Sequence, residues 1–536
     1  LLLAALVTWS RSTLLTRAEL WLHCFAAKPY LPFIAIMALA LIPRASLLPW
    51  IPVPAPAYHD EWSYLLAADT FASGRLTNPT PPCWIHFESF HINLIPTYQS
   101  MYPPAQGMFL AAGKWLFDSA WLGVWLSMAL MCIAILWALQ GWVPRYWAFL
   151  AALFCVLRFG LFSYWIDSYW GGAIPAFAGA LVYGALPRLL SRQKARYGVV
   201  FALGLALLAA SRPLEGLLFS VPALVLVVVW ISHKRFQSLS AIAPGVVVML
   251  VALSALAYYN WRGTGHALQM PYLANLQQYH VTRPFFWQSR GPAPEFHHAI
   301  MRVHYFYWEL PAYLTLHSPG GWLVLIRTKL VTYVPFFLWP MSLLFLPAYV
   351  SAWRSRRMRP LAWAGLLTGL GALVQIWPAQ PHYMAPALVA ILGIMVYGLR
   401  MLRTWKPRGR PFGQVLVQVI LLALLLGLGA RTVIEAIDPF HLGMSPPVQL
   451  PYSIERASLA AKLQRLSGQQ LVLVRERAGH DTEAEWVYNG AGLASEKVLW
   501  ARDMGWEANE ELIRNFPGRT VWLLDPDIVP LLPHLR

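Results

Sequence analysis

Long apolar runs alternate with polar connections through most of this chain. They lie near 29–48, 119–140, 147–163, 171–187, 197–211, 215–232, 240–260, 329–350, 361–377, 384–402 and 413–430. A helix of about 20 residues crosses a hydrocarbon core of about 30 Å, and shorter runs do so with help from their flanks. Backbone groups cannot go unpaired in hydrocarbon, so these runs are predicted as helices, about eleven in all. Beyond Arg431 the pattern changes. Residues 453–467 have helical spacing, 470–475 and 497–502 read as short apolar strands, 506–516 as a helix and 519–525 as a third strand. Such strands separated by helices predict a small parallel or mixed sheet. The expected fold class is therefore a polytopic α-helical membrane protein with a small C-terminal α/β domain. Its parts are an amphipathic lead-in over 1–28, a transmembrane domain over 29–430 with long outer loops 49–118 and 261–328, and an outer α/β domain over 431–536.

Charge orients these helices. The 536 residues are 58% hydrophobic and 12% charged, which excludes an ordinary soluble protein. The formal net charge of +17 would suggest nucleic acid in a soluble chain, but here the cations sit in short clusters between apolar runs. Alternate connections hold Arg145; Arg188, Arg192, Lys194 and Arg196; His233, Lys234 and Arg235; Arg354, Arg356, Arg357 and Arg359; and Arg400, Arg403, Lys406, Arg408 and Arg410. The positive-inside rule makes these cytoplasmic, puts the N-terminus inside and leaves the C-terminal domain on the non-cytoplasmic side. The opposite loops hold nearly all the Asp, Glu and His. Ser10, Arg11 and Arg17 interrupt the first apolar stretch, which fits an amphipathic lead-in better than a cleavable signal. There is no internal repeat, no Gly-rich phosphate loop and no disulfide or zinc spacing among the four cysteines.

Candidate chemistry concentrates on the outer side. The first outer loop reads Tyr58-His59-Asp60-Glu61-Trp62, with two adjacent carboxylates close to the membrane. They serve either as a helix start capped by Asp60 or as a general base at the surface. Tyr102-Pro103-Pro104 is a rigid turn before an apolar helix. In the second outer loop Asp167 stands among Tyr164, Trp165, Tyr169 and Trp170, suiting a sugar or headgroup site as well as an aromatic belt with a capping acid. Arg212 and Glu215 lie at an outer mouth, where Arg suits a lipid phosphate, a salt bridge to Glu215 or snorkelling. His266, His280, His297, His298, His304 and His317 populate the long outer loop, His297 and His304 at a spacing that shares a helix face, without a recognised zinc pattern. His382 and Tyr383 form a short connection at the same level.

This arrangement resembles the GT-C class of lipid-dependent glycosyltransferases, nearest to the protein mannosyltransferase and aminoarabinose transferase group, over roughly residues 30 to 430. The likeness rests on the acidic pair within DEWSYLLAADTFASGRLTNPT, the second-loop acid and the outer C-terminal domain. It implies that Asp60 is the catalytic acid following the first span, with Glu61 completing the pair and Asp167 as the second-loop acid. Tyr102-Pro103-Pro104 is similar to a Lys-Tyr-Pro-Pro turn whose Lys binds donor phosphate; here Met101 stands at the Lys position. His382-Tyr383 with Pro386 resembles an Arg/His-Tyr-x-x-Pro pattern.

The resemblance implies a bacterial inner membrane in which a polyprenyl-phosphate sugar donor enters from the outer, periplasmic leaflet among membrane lipids. Its phosphate would lie near Arg212 and its sugar between Asp60 and Asp167, with Tyr102, Glu215, His382 and Tyr383 also binding substrate. An acceptor hydroxyl on a glycan, lipid or protein then attacks with inversion while Asp60 takes the proton. Metal use differs across the class, and a divalent cation held by Asp60 and Asp167 is one arrangement it allows. Two other readings stay open: a non-catalytic subunit of a larger membrane complex, which Met101 favours, and a transporter, which would need ionisable residues at mid-bilayer in broken helices.

Overall fold

The computed structural model describes residues 13–234, 239–339, 341–377, 379–437, 450–528 and 534–535. The lead-in is helix α1 (Thr13–Ala27), which bends by 104° into α2 (Leu31–Ser46). The first outer loop folds into α3 (His59–Ala72), a small ribbon of β1 (Ile92–Asn93) and β2 (Gln99–Ser100), and α4 (Pro104–Phe117). The bundle continues with α5 (Ala120–Leu139), α6 (Arg145–Phe159), α7 (Ala173–Arg192), α8 (Ala195–Ala209), α9 (Pro213–Lys234) and α10 (Leu239–Thr264). The second long loop carries α11 (Pro271–Tyr279), α12 (Ala299–Val303), a π-helical turn at His304–Glu309, and α13 (Leu310–His317). Then follow α14 (Gly321–Leu338), α15 (Ser342–Arg354), α16 (Arg359–Val374), α17 (Leu388–Arg403) and α18 (Phe412–Ile437).

Each predicted apolar run contains at least one helix among the described residues. Seven described helices are long and apolar enough to cross a membrane by length and composition, or eight if the bent pair α1–α2 is one span. The others are short: α6 and α8 have 15 residues each and α16 has 16. Small residues let the short helices pack closely. A Cβ at Gly198 on α8 would come within 2.1 Å of the Ala241 carbonyl on α10, the close approach that glycine permits between membrane helices.

The run expected to span 329–350 is not one helix. It breaks between α14 and α15, where Trp339 is extended (φ −64°, ψ 137°). The following residue is Pro340, and proline disfavours helical backbone in its predecessor, which hydropathy alone does not register. The C-terminal half of α14 packs at the acidic end of the bundle: Arg158 at the end of α6 donates to the Pro335 carbonyl (3.2 Å), and Lys329 donates to the carbonyls of Ala372 and Gln375 (2.5 Å each). From the break, α15 alone runs back toward the basic end.

The two ends of the bundle differ as the loop charges predict. At one end, Arg145 donates to the Ala27 carbonyl (2.6 Å), Arg188 to Trp137 (2.7 Å) and Arg357 to Gly141 (3.0 Å), and Arg403 pairs with Glu19. At the other, the amide of Ala105 meets the Ala210 carbonyl (2.9 Å) and the indole of Trp121 meets Ile166 (2.8 Å), knitting the acidic loops together.

The C-terminal unit has α19 (Pro451–Arg465), β3 (Gln469–Val474), β4 (Val498–Arg502), α20 (Trp506–Asn515), β5 (Arg519–Leu524) and β6 (His534–Leu535). Strand order is β4-β3-β5-β6, parallel except for β6. Side chains alternate between faces along a strand. Val472, Val474 and Trp500 pack with α19 and Trp486, while Leu471, Leu473, Leu499 and Ala501 pack with α20 and with Leu66, Ile92, Leu94 and Tyr98 of the first outer loop. One core thus joins the sheet to that loop.

Candidate functional site

The site is built around the first turn of α3. Its N-cap is Tyr58 rather than Asp60, and Glu61 closes the cap: Glu61 Oε1 accepts from the amides of Ala57 (3.0 Å) and Tyr58 (3.2 Å). Glu61 Oε2 accepts from the Tyr169 amide (2.9 Å), so this carboxylate ties the first outer loop to the second. Burial raises its pKa to about 7 despite those three donors. With Glu61 turned inward, its neighbour Asp60 points the other way, and its side chain keeps 30% exposure.

Asp60 accepts a hydrogen bond from the Tyr102 hydroxyl, and His91 Nδ1 lies 3.8 Å from the same carboxylate oxygen and 3.2 Å from the Tyr102 oxygen. The β1–β2 ribbon places both partners. Ser63 on α3 donates to the His91 carbonyl (2.6 Å) and meets the Ser100 hydroxyl (2.7 Å), and the Met101 amide donates back to His91 (3.2 Å). His91 itself sits at φ +60°, a left-handed conformation uncommon outside glycine and recurrent at functional sites. Tyr64, one turn after Asp60, stacks on Tyr102 with ring centroids 4.4 Å apart.

Arg212 supplies the positive charge. It lies between α8 and α9, its guanidinium 4.8 Å from the Tyr383 ring centroid. It makes no ion pair with Glu215, whose carboxylate instead accepts from Gln375 Nε2 (2.9 Å). Tyr64, Tyr102, Tyr383 and Glu215 all lie close enough to interact with the guanidinium. Tyr64 and Tyr383 also lie within the field of Asp60. Asp60, Tyr102, Arg212, Glu215 and Tyr383 therefore share one neighbourhood.

Asp167 and His382 support it from behind. Asp167 lies in the turn before α7, not at a helix cap, and receives Arg44 Nη2 at 2.8 Å and Nε at 3.2 Å. Arg44 is fully buried on α2, also donates to the Ile51 carbonyl (2.9 Å), and stacks 4.9 Å over Trp121. Gly172 accommodates the turn, since a Cβ there would come within 2.1 Å of the Trp165 ring. His382 is buried with its Nδ1 3.1 Å from the Tyr164 hydroxyl, which also accepts from the His382 amide (3.0 Å). The carboxylates of Asp60 and Asp167, considered as a joint cation site, are thus engaged by different partners, Tyr102 and Arg44.

The histidines divide differently from their spacing. His297 precedes α12 and faces Glu88 (3.0 Å), whereas His304 opens the π-helical turn and faces His59 and the C-terminal unit. Among the described residues, ligand atoms of His59, His304 and Glu483 lie within 4.8 Å of one another. Burial lowers His304 to about 3, and burial with the nearby Asp60 charge raises Glu483 to about 7. His91, Tyr64, Arg44 and Glu483 are the residues missed by the sequence. Arg44 alone carried a signal, as a charge inside an apolar run. No site residue lines the apolar cavity of about 220 Å³ between α15 and α17.

The sequence matches no protein-family model and no curated protein. Among solved structures it is similar to ArnT from Cupriavidus metallidurans bound to undecaprenyl phosphate, at 16% identity and TM-score 0.47, over 92% of each chain. It is also similar to the Archaeoglobus fulgidus oligosaccharyltransferase complex with zinc and sulfate, at 11% identity and TM-score 0.47, over 92% of this chain and 67% of that one. A third likeness is to the archaeal oligosaccharyltransferase AglB from Archaeoglobus fulgidus with an inhibitory peptide and a dolichol-phosphate, at 11% identity and TM-score 0.42, over 96% and 70%. ArnT and AglB are GT-C glycosyltransferases.

Proposed function

We propose that this chain transfers a sugar from a polyprenyl-phosphate donor to an acceptor hydroxyl at the outer face of the membrane, with inversion. The observation that carries this reading is a partly exposed carboxylate, Asp60, and a guanidinium, Arg212, that forms no salt bridge among the described residues, both close to Tyr64, Tyr102 and Tyr383. A base and a phosphate-binding cation flanking aromatic rings suit a phosphosugar. The acceptor oxygen attacks the anomeric carbon, the bond from that carbon to the phosphate oxygen breaks, and the lipid phosphate leaves with the bonding pair. Asp60 takes the acceptor proton. Arg212 stabilises the negative charge that builds on the phosphate, and its planar fork suits those oxygens. In this role it replaces the cation that Met101 lacks; Met101 is buried.

Tyr102 holds Asp60 and is itself backed by His91, so the carboxylate is oriented before substrate arrives. Glu61, Asp167 and His382 act as positioning residues: each is buried and fixes a loop through its hydrogen bonds. The test is transfer by purified protein in lipid nanodiscs from a panel of polyprenyl-phosphate sugars, followed by release of polyprenyl phosphate. Wild-type turnover with at least one donor is expected. Absence of turnover with every donor and acceptor, with donor binding no tighter than for plain lipid, overturns the reading.

A further inference from the structure

We propose that His59, His304 and Glu483 form a binding site for a transition-metal ion of the zinc class, which fastens the C-terminal unit to both long outer loops beside Asp60. The three ligand atoms lie within 4.8 Å of one another and come from three distant segments: the first residue of α3, the π-helical turn and the loop between β3 and β4. Tetrahedral zinc with bonds of about 2.0–2.1 Å needs ligand atoms roughly 3.3 Å apart. Closing that gap takes at most about 1.5 Å of side-chain movement.

The surroundings suit a metal better than a loose charge cluster. Thr482, next to Glu483, accepts from His59 Nε2 through its carbonyl (2.7 Å), and its hydroxyl lies 3.4 Å from His304 Nδ1. A carbonyl can only accept, so His59 carries its proton on Nε2 and keeps the lone pair on Nδ1 that a metal would need. His59 stacks on Phe90 (4.2 Å) and His304 on Trp308 (5.1 Å), which holds both rings in place and limits water. Two imidazoles and one carboxylate select zinc-like ions over calcium and magnesium, which take oxygen donors. Three protein ligands also leave a position for water or a substrate oxygen. Glu483 lies within the field of Asp60, so an ion here neutralises a carboxylate that otherwise repels the Asp60 charge.

The test uses the full chain in nanodiscs, stripped with chelator and then equilibrated with zinc, manganese, magnesium or calcium salts. Bound metal is measured by mass spectrometry and unfolding by tryptophan fluorescence. One zinc per chain is expected, with a rise in unfolding temperature and slower proteolysis of residues 450–528. Glu483→Gln and His304→Ala should each weaken zinc binding at least tenfold and remove the thermal shift. His297→Ala, which removes contacts to Glu88 and Trp84 and none to the three ligands, should bind as wild type does. Glu483→Gln keeps the shape of a partly exposed side chain, so it reports on binding even if His304→Ala folds poorly. Zinc binding unchanged in Glu483→Gln, or lost only in His297→Ala, overturns the proposal. These readouts do not depend on sugar transfer, so the site can fail while the transferase reading stands, or the reverse.

Discussion

At the scale of single residues, two adjacent carboxylates have opposite fates. Glu61 spends its oxygens on three amides, and Asp60 is left partly exposed beside Tyr102. Asp60→Asn keeps the shape but cannot accept a proton, so turnover is expected to fall about a hundred to ten thousand-fold with donor binding retained. A transfer assay beside a donor-binding titration separates these, and full turnover in the variant would make Asp60 no more than a helix-start residue. Arg212→Gln should instead weaken donor binding and slow cleavage of the bond to the lipid phosphate, and Met101→Lys should recover part of that loss. If Arg212→Gln binds donor as wild type does, the phosphate lies elsewhere. Arg44 and Asp167 make a structural prediction. Removing one partner of a buried ion pair typically costs about 3–5 kcal/mol. Arg44→Met should therefore lower the yield and unfolding temperature far more than turnover per folded molecule.

Elements were more legible than contacts. The strands at 469–474, 498–502 and 519–524 and the helices around them were readable because apolar runs and helical spacing are local signals. The interruption of 329–350 was less so, because Phe336, Phe337 and Leu338 continue the hydropathy right up to the break and only Pro340 marks it. Asp60 and Arg212 stood out as charges at loop mouths. Their mutual neighbours Tyr64 and His91 did not, because nothing in a lone Tyr on a helix or a lone His in a loop says which partner the fold will bring. The C-terminal unit offers its own test. Burial pulls His480 down, but the bond to Asp527 (2.7 Å) and the Ala484 carbonyl more than offset it, so its pKa is raised. A raised histidine contributes stability that is full below about 6.5 and disappears as pH climbs through the folded value. The stability advantage of wild type over His480→Gln should thus be largest near pH 6 and vanish in alkaline buffer, as denaturant unfolding at several pH values would show. An advantage that grew with pH would contradict the ion pair.

For the whole molecule, the described basic loops gather at one end and the site at the other, and the proposed topology puts the basic end in the cytoplasm. Single cysteines introduced at Lys406 and at Glu455 should be labelled by an impermeant maleimide from opposite sides of sealed vesicles. Labelling of both from the same side would refute it.

The bond between His59 and Thr482 joins residues 423 positions apart. In time, that distance is most of a round of synthesis. The ribosome delivers the first outer loop early, and its Leu66, Ile92, Leu94 and Tyr98 wait uncovered until the β3–β4–β5 sheet emerges to share their core. The site is therefore a late product: a nascent chain threaded through all its membrane helices still lacks the piece that closes over Asp60. A chain stopped at residue 449 should insert and then be held by chaperones or degraded, its unfinished loop advertising the missing partner.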